Sequence, residues 1–454
     1  MHMRAGLALL FAPVPALATP EAAFVVLGEN GQATARAITR ADRCPDIIID
    51  GRSFPMAVRA PSETVPQRPT ASTPENSKPS KFPVLTCDAV LPVGARTASI
   101  SGQHLPAVSR NIRRIVVIGD TGCRLKAADD AYQACNDPAA YPFARIAARA
   151  AKWKPQLVIH VGDYHYRENP CPQGNRDCEG SPWGYGWDAW NADLFTPGAP
   201  LLAAAPWVVV RGNHENCPRA GQGWWRFIDP RPISPNRDCN RPEDDGTGDA
   251  ATVYAVPIGG GARVIVADLA TSPDKAIDPS EPRFAQYTAV QEQMRSLADG
   301  GTFNLVATHK PILGVAATRK EGQIVLRAAT VGTQSVFAIK DPNILPESID
   351  AILSGHVHLW EQISFPSRYP TQFISGFSGT LEDVVPLPER LPNGYTPASG
   401  VAPDAFASWT DGFGYMTLER RGPRRWKATV WNIDGCKVNR CILVGRRSRC
   451  LKQD

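Results

Sequence analysis

Histidine is scarce in this chain, with 8 among 454 residues. Long apolar runs are scarcer still. No segment past the N-terminus approaches the roughly 20 apolar residues that cross a bilayer as a helix, so no transmembrane segment is expected. No two cysteines sit at zinc-knuckle spacing; the closest are Cys436 and Cys441, which argues against a structural zinc cluster. A strong charge of either sign is missing too. The formal net charge of +5 is mild, and no nucleic-acid partner is expected from it. No internal repeat is visible.

What the chain does have is cysteine in number, 11 in all, and 42 prolines. Many cysteines without metal-ligand spacing point to disulfides and an oxidising compartment. Pairing of sequence neighbours is expected: Cys44–Cys87, Cys123–Cys135, Cys171–Cys178, Cys217–Cys239 and Cys436–Cys441, with Cys450 left over. The N-terminus agrees with export. His2 and Arg4 form a short positive region, Ala5–Val14 is almost wholly apolar, and Ala16-Leu17-Ala18 supplies small residues for cleavage before Thr19. A secreted or periplasmic protein is expected, with residues 1–18 as its signal peptide.

The chain is longer than one small core usually absorbs. Residues 19–109 read as a small β-rich N-terminal module. Phe24–Leu27, Ile47–Ile49, Val84–Thr86 and Arg96–Ile100 look like strands, around a Pro/Ser/Thr-rich loop over 60–81. Residues 110–454 read as the catalytic domain. There Ile115–Ile118, Leu157–Val161, Trp207–Val210, Phe303–Ala307 and Ala351–Leu353 are apolar strands. Tyr141–Trp153, Trp187–Phe195 and Tyr287–Leu297 have helical spacing. Val253–Val256 and Val264–Asp268 look like an antiparallel pair turning at Gly259–Gly261. Phe373–Ser375, Tyr415–Leu418 and Ala428–Trp431 are late strands. Residues 168–186 and 383–410 resist the scheme and read as loops. The expected fold is α/β: two packed mixed β-sheets flanked by helices, a four-layer α/β/β/α sandwich.

Five of these strands end in the same kind of cargo. Gly119-Asp120-Thr121-Gly122 gives a carboxylate. Gly162-Asp163-Tyr164-His165-Tyr166 gives a carboxylate and a phenol. Gly212-Asn213-His214-Glu215 gives an amide and an imidazole. Val306-Ala307-Thr308-His309 gives an imidazole, and Gly355-His356-Val357-His358 gives two. One such histidine is usually an ordinary surface or core residue; five coincidences at strand ends are not. Imidazoles and carboxylates together suit iron, zinc or manganese better than calcium. Two multivalent cations a few ångströms apart need a shared anion between them, and Asp163 suits that role.

In this ordered set the chain resembles the calcineurin-like metallophosphoesterases, over about residues 113–379. The tyrosine in the second motif makes it similar to the purple acid phosphatase branch. That resemblance implies a phosphate-ester substrate hydrolysed by a metal-activated water. It implies one Fe(III) held by Asp120, Tyr166, His358 and bridging Asp163. A divalent metal (zinc, iron or manganese) would be held by Asp163, Asn213, His309 and His356. It also implies that His214 lies near the phosphate, to stabilise charge or protonate the leaving oxygen. No protein nucleophile is needed, and no Gly-x-Ser-x-Gly elbow stands near the motifs.

The chain departs from the plant-type pattern after His309. Lys310-Pro311-Ile312-Leu313-Gly314 and Thr318-Arg319-Lys320 contain no histidine, so the substrate contacts must differ. Trp360 stands where the family usually has tyrosine, one packing aromatic for another. Arg124, Arg167, Arg211 and Arg319 are candidate phosphate binders, but each reads more readily as a solvated surface arginine. Tyr164 and His165 read as loop residues, His165 as a rim contact. Phosphomonoester hydrolysis is the leading expectation. A phosphodiesterase on nucleotides or lipids and a non-catalytic secreted binding module are the alternatives. The sequence leaves the oligomeric state open.

Overall fold

The computed structural model describes residues 19–451 apart from 329, 367, 382, 383, 399 and 401. The expected leader over 1–18 lies outside the described residues. Among the described residues no helix is long and apolar enough to cross a membrane.

Two large sheets face each other. The first has 11 strands, in the order Arg447–Leu451, Lys437–Val444, Arg425–Asn432, Gly414–Gly422, Arg114–Ile118, Leu157–His160, Trp207–Val209, Ala22–Leu27, Ala33–Thr39, Leu85–Val90 and Ala57–Ala60. The second has seven, in the order Tyr254–Gly259, Ala262–Val266, Phe303–Ala307, Ala351–Ser354, Thr371–Ser375, Trp360–Ser364 and Ala405–Trp409. Alternation sorts the side chains. Ile115, Val117, Leu157 and Ile159 point between the sheets and pack with Val264, Leu305, Leu353 and Phe373. Val116, Ile118 and Val158 point the other way, onto Phe143, Ile146 and Trp190. On the far side Ile265, Val306 and Ile352 meet Tyr287, Val290 and Met294 of the helix Pro282–Ala298. Because strand side chains alternate with period two, each sheet buries both faces. The result is the expected four-layer α/β/β/α arrangement.

The first sheet runs across the boundary placed at residue 109. Ala22–Leu27 pairs in parallel with Trp207–Val209 at Val26↔Trp207, and Ala33–Thr39 pairs with both Ala22–Leu27 and Leu85–Val90. Ala33–Thr39 has no strand signature in the sequence, since its centre is an arginine. Arg36 is fully buried: its Nε donates to Asp88 at 2.7 Å, and its Nη1 donates to the carbonyls of Phe227 and Asp229. A charge can occupy a strand interior when every donor is taken.

Several loop expectations are refined. Residues 60–81 contain part of a short hairpin, Glu63–Val65 with Ser80–Phe82. Residues 383–410 contain the edge strand Ala405–Trp409. The helical stretch from Trp187 continues to Leu202. Four disulfides pair as expected: Cys44–Cys87, Cys123–Cys135, Cys171–Cys178 and Cys217–Cys239. The fifth does not. Cys441 bonds Cys450, and Cys436 is free and exposed. The reason is register: Cys441 and Cys450 are direct partners on adjacent antiparallel strands, whereas Cys436 precedes its strand.

Candidate metal centre

Three parallel strands of the first sheet and two of the second end at the same edge of the sandwich. Ile118 is in register with His160, and His160 with Val209. In the other sheet Ala307 is in register with Leu353. The loops that follow carry all eight residues singled out in the sequence, and they converge.

Tyr166 sits in the middle. Its hydroxyl donates to Asp163 Oδ2 at 2.8 Å, lies 3.2 Å from Asp120 Oδ1, and lies 2.9 Å from His358 Nε2. On the other side of Asp163, His309 Nε2 is 3.1 Å from Asp163 Oδ2 and 3.0 Å from Asn213 Oδ1. Ligand atoms of Asp163, His309 and His356 all fall within 4.8 Å of one another. Asp163 therefore lies between two donor groups, one with Asp120, Tyr166 and His358, the other with Asn213, His309 and His356. Asn213 and His356 are half-buried and mark the open side.

The imidazoles are aimed. His309 Nδ1 donates to the Val161 carbonyl at 2.8 Å, and His358 Nδ1 to that of Leu381 at 2.9 Å. Fixing the proton on Nδ1 turns the Nε2 lone pair toward the cluster, the usual outer support of a metal-binding histidine. The backbone is bent to match. Asp120, Asp163 and His356 all have left-handed φ, at 55°, 58° and 70°, a conformation costly enough for side-chain-bearing residues to mark functional sites. Gly162, at φ 101°, passes so close to His309 that a Cβ would lie 2.4 Å from its Nδ1. A Cβ on Gly212 would lie 2.0 Å from Asp163 Oδ1.

These residues fit multivalent cations. Carboxylate, amide, imidazole and phenol oxygens or nitrogens point at common positions. The cluster also draws positive charge: against the effect of burial, Asp163 raises the His309 imidazole to about 9. Burial first, then Asp163 and Asp120, push the Tyr166 phenol well above its ordinary range. A phenolate here needs a compensating cation.

Two buried carboxylates hold the loop that carries Asp163, and the sequence reading gave neither a role. Glu215 accepts the N–H groups of Asp163, Tyr164 and His165, as well as that of Gly212. Asp193 accepts those of Tyr166 and Arg167. Five consecutive amides, 163–167, thus end on carboxylates. Glu215 stood inside a quoted motif; Asp193 stands in a helix with no motif to flag it.

The His214 ring packs against Tyr166, centroids 3.7 Å apart and planes tilted by 35°, and its backbone N–H donates to Asp163 Oδ1. Its Nδ1 is 2.9 Å from Glu168 Oε1, and Arg219 Nη2 lies 2.6 Å from Nδ1 and 2.9 Å from Nε2. Burial, then the Arg219 charge, lowers His214 to about 4. Glu168, fully enclosed, also accepts from Arg219 and from the Tyr185 hydroxyl. Burial pushes its carboxyl up, but Arg219 and His214 outweigh this and hold it well below the usual range. Neither Glu168 nor Arg219 has a sequence signature.

Three candidate phosphate binders are committed elsewhere. Arg167 pairs with Asp193, Arg211 with Asp249 and Asp268, and Arg124 with Asp129. Arg167 and Arg211 are buried, not solvated. Tyr164 and His165 are also buried: Tyr164 stacks on His160, and His165 Nε2 is bonded to the Gly184 carbonyl. His165 is a packing residue, not a rim contact. Trp360 is buried as expected.

The fold is shared with solved structures. A purple acid phosphatase, PPD1, from yellow lupin (Lupinus luteus) seeds superposes with a TM-score of 0.52 at 14% identity, covering 95% of this chain and 74% of that one. PhoD superposes with a TM-score of 0.52 at 12% identity, covering 96% and 92%. No curated protein matches the sequence significantly. The model of the calcineurin-like phosphoesterase family matches residues 113–359, more than half of the chain and all five motif loops. The chain belongs to the calcineurin-like phosphoesterase family, and is a metal-dependent hydrolase of phosphate esters with a dinuclear centre.

Proposed function

We propose that the protein is an exported phosphatase that hydrolyses phosphomonoesters at a centre of Fe(III) plus a divalent zinc, iron or manganese ion. The observation that carries this reading is the position of the Tyr166 hydroxyl, within 3.2 Å of Asp163, Asp120 and His358 atoms. A phenolate beside carboxylates is a hard, anionic donor set that favours a ferric ion. Asp120, Tyr166, His358 and Asp163 would hold that ion, and Asp163, Asn213, His309 and His356 would hold the divalent one. Bound metals supply an activated water and neutralise phosphate charge.

The remaining steps belong to side chains. Asp163 and Asp120 are held rigid by the clamped loops, so the phosphate meets a preorganised site. His214, whose Nε2 lies 3.9 Å from Asp163 Oδ2, exchanges a proton with the substrate oxygens. Glu168 and Arg219 fix the plane of its ring. Five disulfides are compatible with an oxidising compartment outside the cytoplasm, which supports export.

Two measurements test this reading. Purified protein is expected to contain two metal ions per chain, at least one of them iron, and to absorb visible light through a tyrosinate-to-iron transition. Tyr166→Phe is expected to remove that band; a band that survives the substitution refutes the assignment. In turnover, p-nitrophenyl phosphate is expected to outpace bis(p-nitrophenyl) phosphate by tenfold or more in kcat/KM, on the order of 1.4 kcal/mol per factor of ten. The reverse order would make the protein a diesterase.

A further inference from the structure

Three sheets meet around a space that their side chains do not fill. The first large sheet contributes Leu27, at the end of Ala22–Leu27, and the second contributes Val256, from its edge strand Tyr254–Gly259. The third is a small sheet of Gln103–His104, Ala98–Ile100, Asp46–Ile49 and Arg52–Pro55, and Leu105 directly follows one of its strands. Between them lies a cavity of about 720 Å³. Leu27, Leu91, Leu105 and Val256 are buried on its walls and belong to the same apolar cluster as Ile115 and Leu305. None of the residues assigned to the metal centre lines it. Its volume is in the range, about 300–1,000 Å³, of sites that enclose a whole small molecule.

The mouth differs from the walls. Arg96 and Arg110 line the cavity and are exposed. Neither guanidinium comes within 4 Å of a carboxylate among the described residues. Glu29 is the sole acid on the lining, so the mouth keeps a net positive charge. Val93, on the same lining, is 82% exposed, which carries the apolar surface out to the rim. Apolar walls behind an unpaired cationic mouth fit a molecule with an apolar body and one anionic end. The backbone argues against a peptide. Ala33–Thr39 and Ala98–Ile100 are each hydrogen-bonded to a strand on both sides, so neither has a free edge to offer. Tyr254–Gly259 is a sheet edge, but Pro257 has no N–H to donate. The turn Glu29–Gly31 also packs against it: a Cβ on Gly31 would lie 3.3 Å from the Pro257 ring. An acyl chain asks for no hydrogen bonds along its length.

We propose that this cavity binds a fatty acid, with the chain between the three sheets and the carboxylate at Arg96 and Arg110. Guanidinium matches carboxylate oxygens two at a time and keeps its charge at any working pH. Each methylene taken from water onto Leu27, Leu91, Leu105 and Val256 strengthens binding about fourfold. A chain in this position touches all three sheets and so ties the small sheet to the large ones. A ligand that binds the folded chain alone raises its melting temperature by mass action. The site is separate from the phosphate chemistry, and the proposal does not rest on the phosphatase reading.

The test titrates delipidated, metal-loaded protein with octanoate, decanoate and laurate by calorimetry, below their micelle concentrations. Saturable binding is expected, tightening about fourfold with each added methylene. 1-Decanol, with the chain of decanoate and no charge, is expected to bind at least tenfold more weakly. Arg96→Gln/Arg110→Gln is expected to weaken decanoate at least tenfold and to leave 1-decanol within twofold. Ala95 is half-buried on the lining, and Ala95→Trp, which puts an indole into the cavity, is expected to abolish binding of both. Circular dichroism checks the fold of each variant, and if Ala95→Trp does not fold the arginine pair decides alone. Wild type that binds nothing saturably, or binds all three acids equally, overturns the site. So does a double arginine variant that holds decanoate as tightly as wild type. Decanoate bound undiminished by folded Ala95→Trp places the binding elsewhere on the surface and overturns it as well.

Discussion

Asp163→Asn is expected to cut bound metal from two ions per chain to one or fewer and to lower kcat by at least about a thousandfold. The argument is electrostatic. Two unit charges 4 Å apart repel by roughly 4 kcal/mol at an effective dielectric of 20, and metal ions carry several charges each. In the proposed assignment the Asp163 carboxylate lies between them and offsets this repulsion. Removing about 4 kcal/mol of it is on the order of a thousandfold in affinity for the second ion. The variant should otherwise fold. Asparagine tolerates the left-handed backbone that Asp163 adopts at φ 58° better than most residues. Its carbonyl oxygen can still accept the His214 N–H that Asp163 Oδ1 takes at 2.9 Å. Metal analysis, turnover of p-nitrophenyl phosphate and circular dichroism separate these effects. Two retained metals with full activity would remove Asp163 from the bridging position.

Why this candidate centre was legible in the sequence, and its supports were not, has a physical answer. A metal ligand must be one of a few residue types, and in an α/β sandwich it must stand where a strand ends. Asp120, Asp163, Asn213, His309 and His356 meet both conditions, and each follows an apolar run. The supports obey no such rule. Asp193 accepts amides from a loop 26 and 27 residues away in sequence, so its partners are set by the fold. Glu168 is placed by Arg219, 51 residues on. Burial of His165 could not be read either. A histidine in a loop looks exposed until the segment ending at Gly184 folds over it. Ala33–Thr39 was missed because Arg36 breaks its apolar pattern, and its compensation comes from Asp88 and from residues near 229. The fifth disulfide failed for the same reason: strand register, not sequence proximity, decides which cysteines meet.

The supports nevertheless carry the second large effect. Asp193→Asn is expected to destabilise the protein by about 3–5 kcal/mol, the cost of leaving a buried charge without its partner. Asp193 is fully buried and Arg167 is 4% exposed. The Nε of Arg167 donates to Asp193 Oδ1 at 2.7 Å, and no other carboxylate among the described residues takes it over. The remaining bonds make the loss worse. Oδ1 also accepts the Cys123 N–H at 3.0 Å, and Oδ2 accepts those of Tyr166 and Arg167 at 2.8 and 3.2 Å. An asparagine must turn an NH2 group toward one of these sets of donors, so at least one buried amide loses its acceptor, at about 1–3 kcal/mol. Thermal and urea unfolding of the variant measure the stability term. The loop term is read separately. With the NH2 on the Oδ2 side the Tyr166 amide is released, and the tyrosinate band expected of the ferric site then weakens in Asp193→Asn even at temperatures where the protein is folded. A variant as stable as wild type, with its band intact, would show that Asp193 is incidental to how this chain holds its second motif in place.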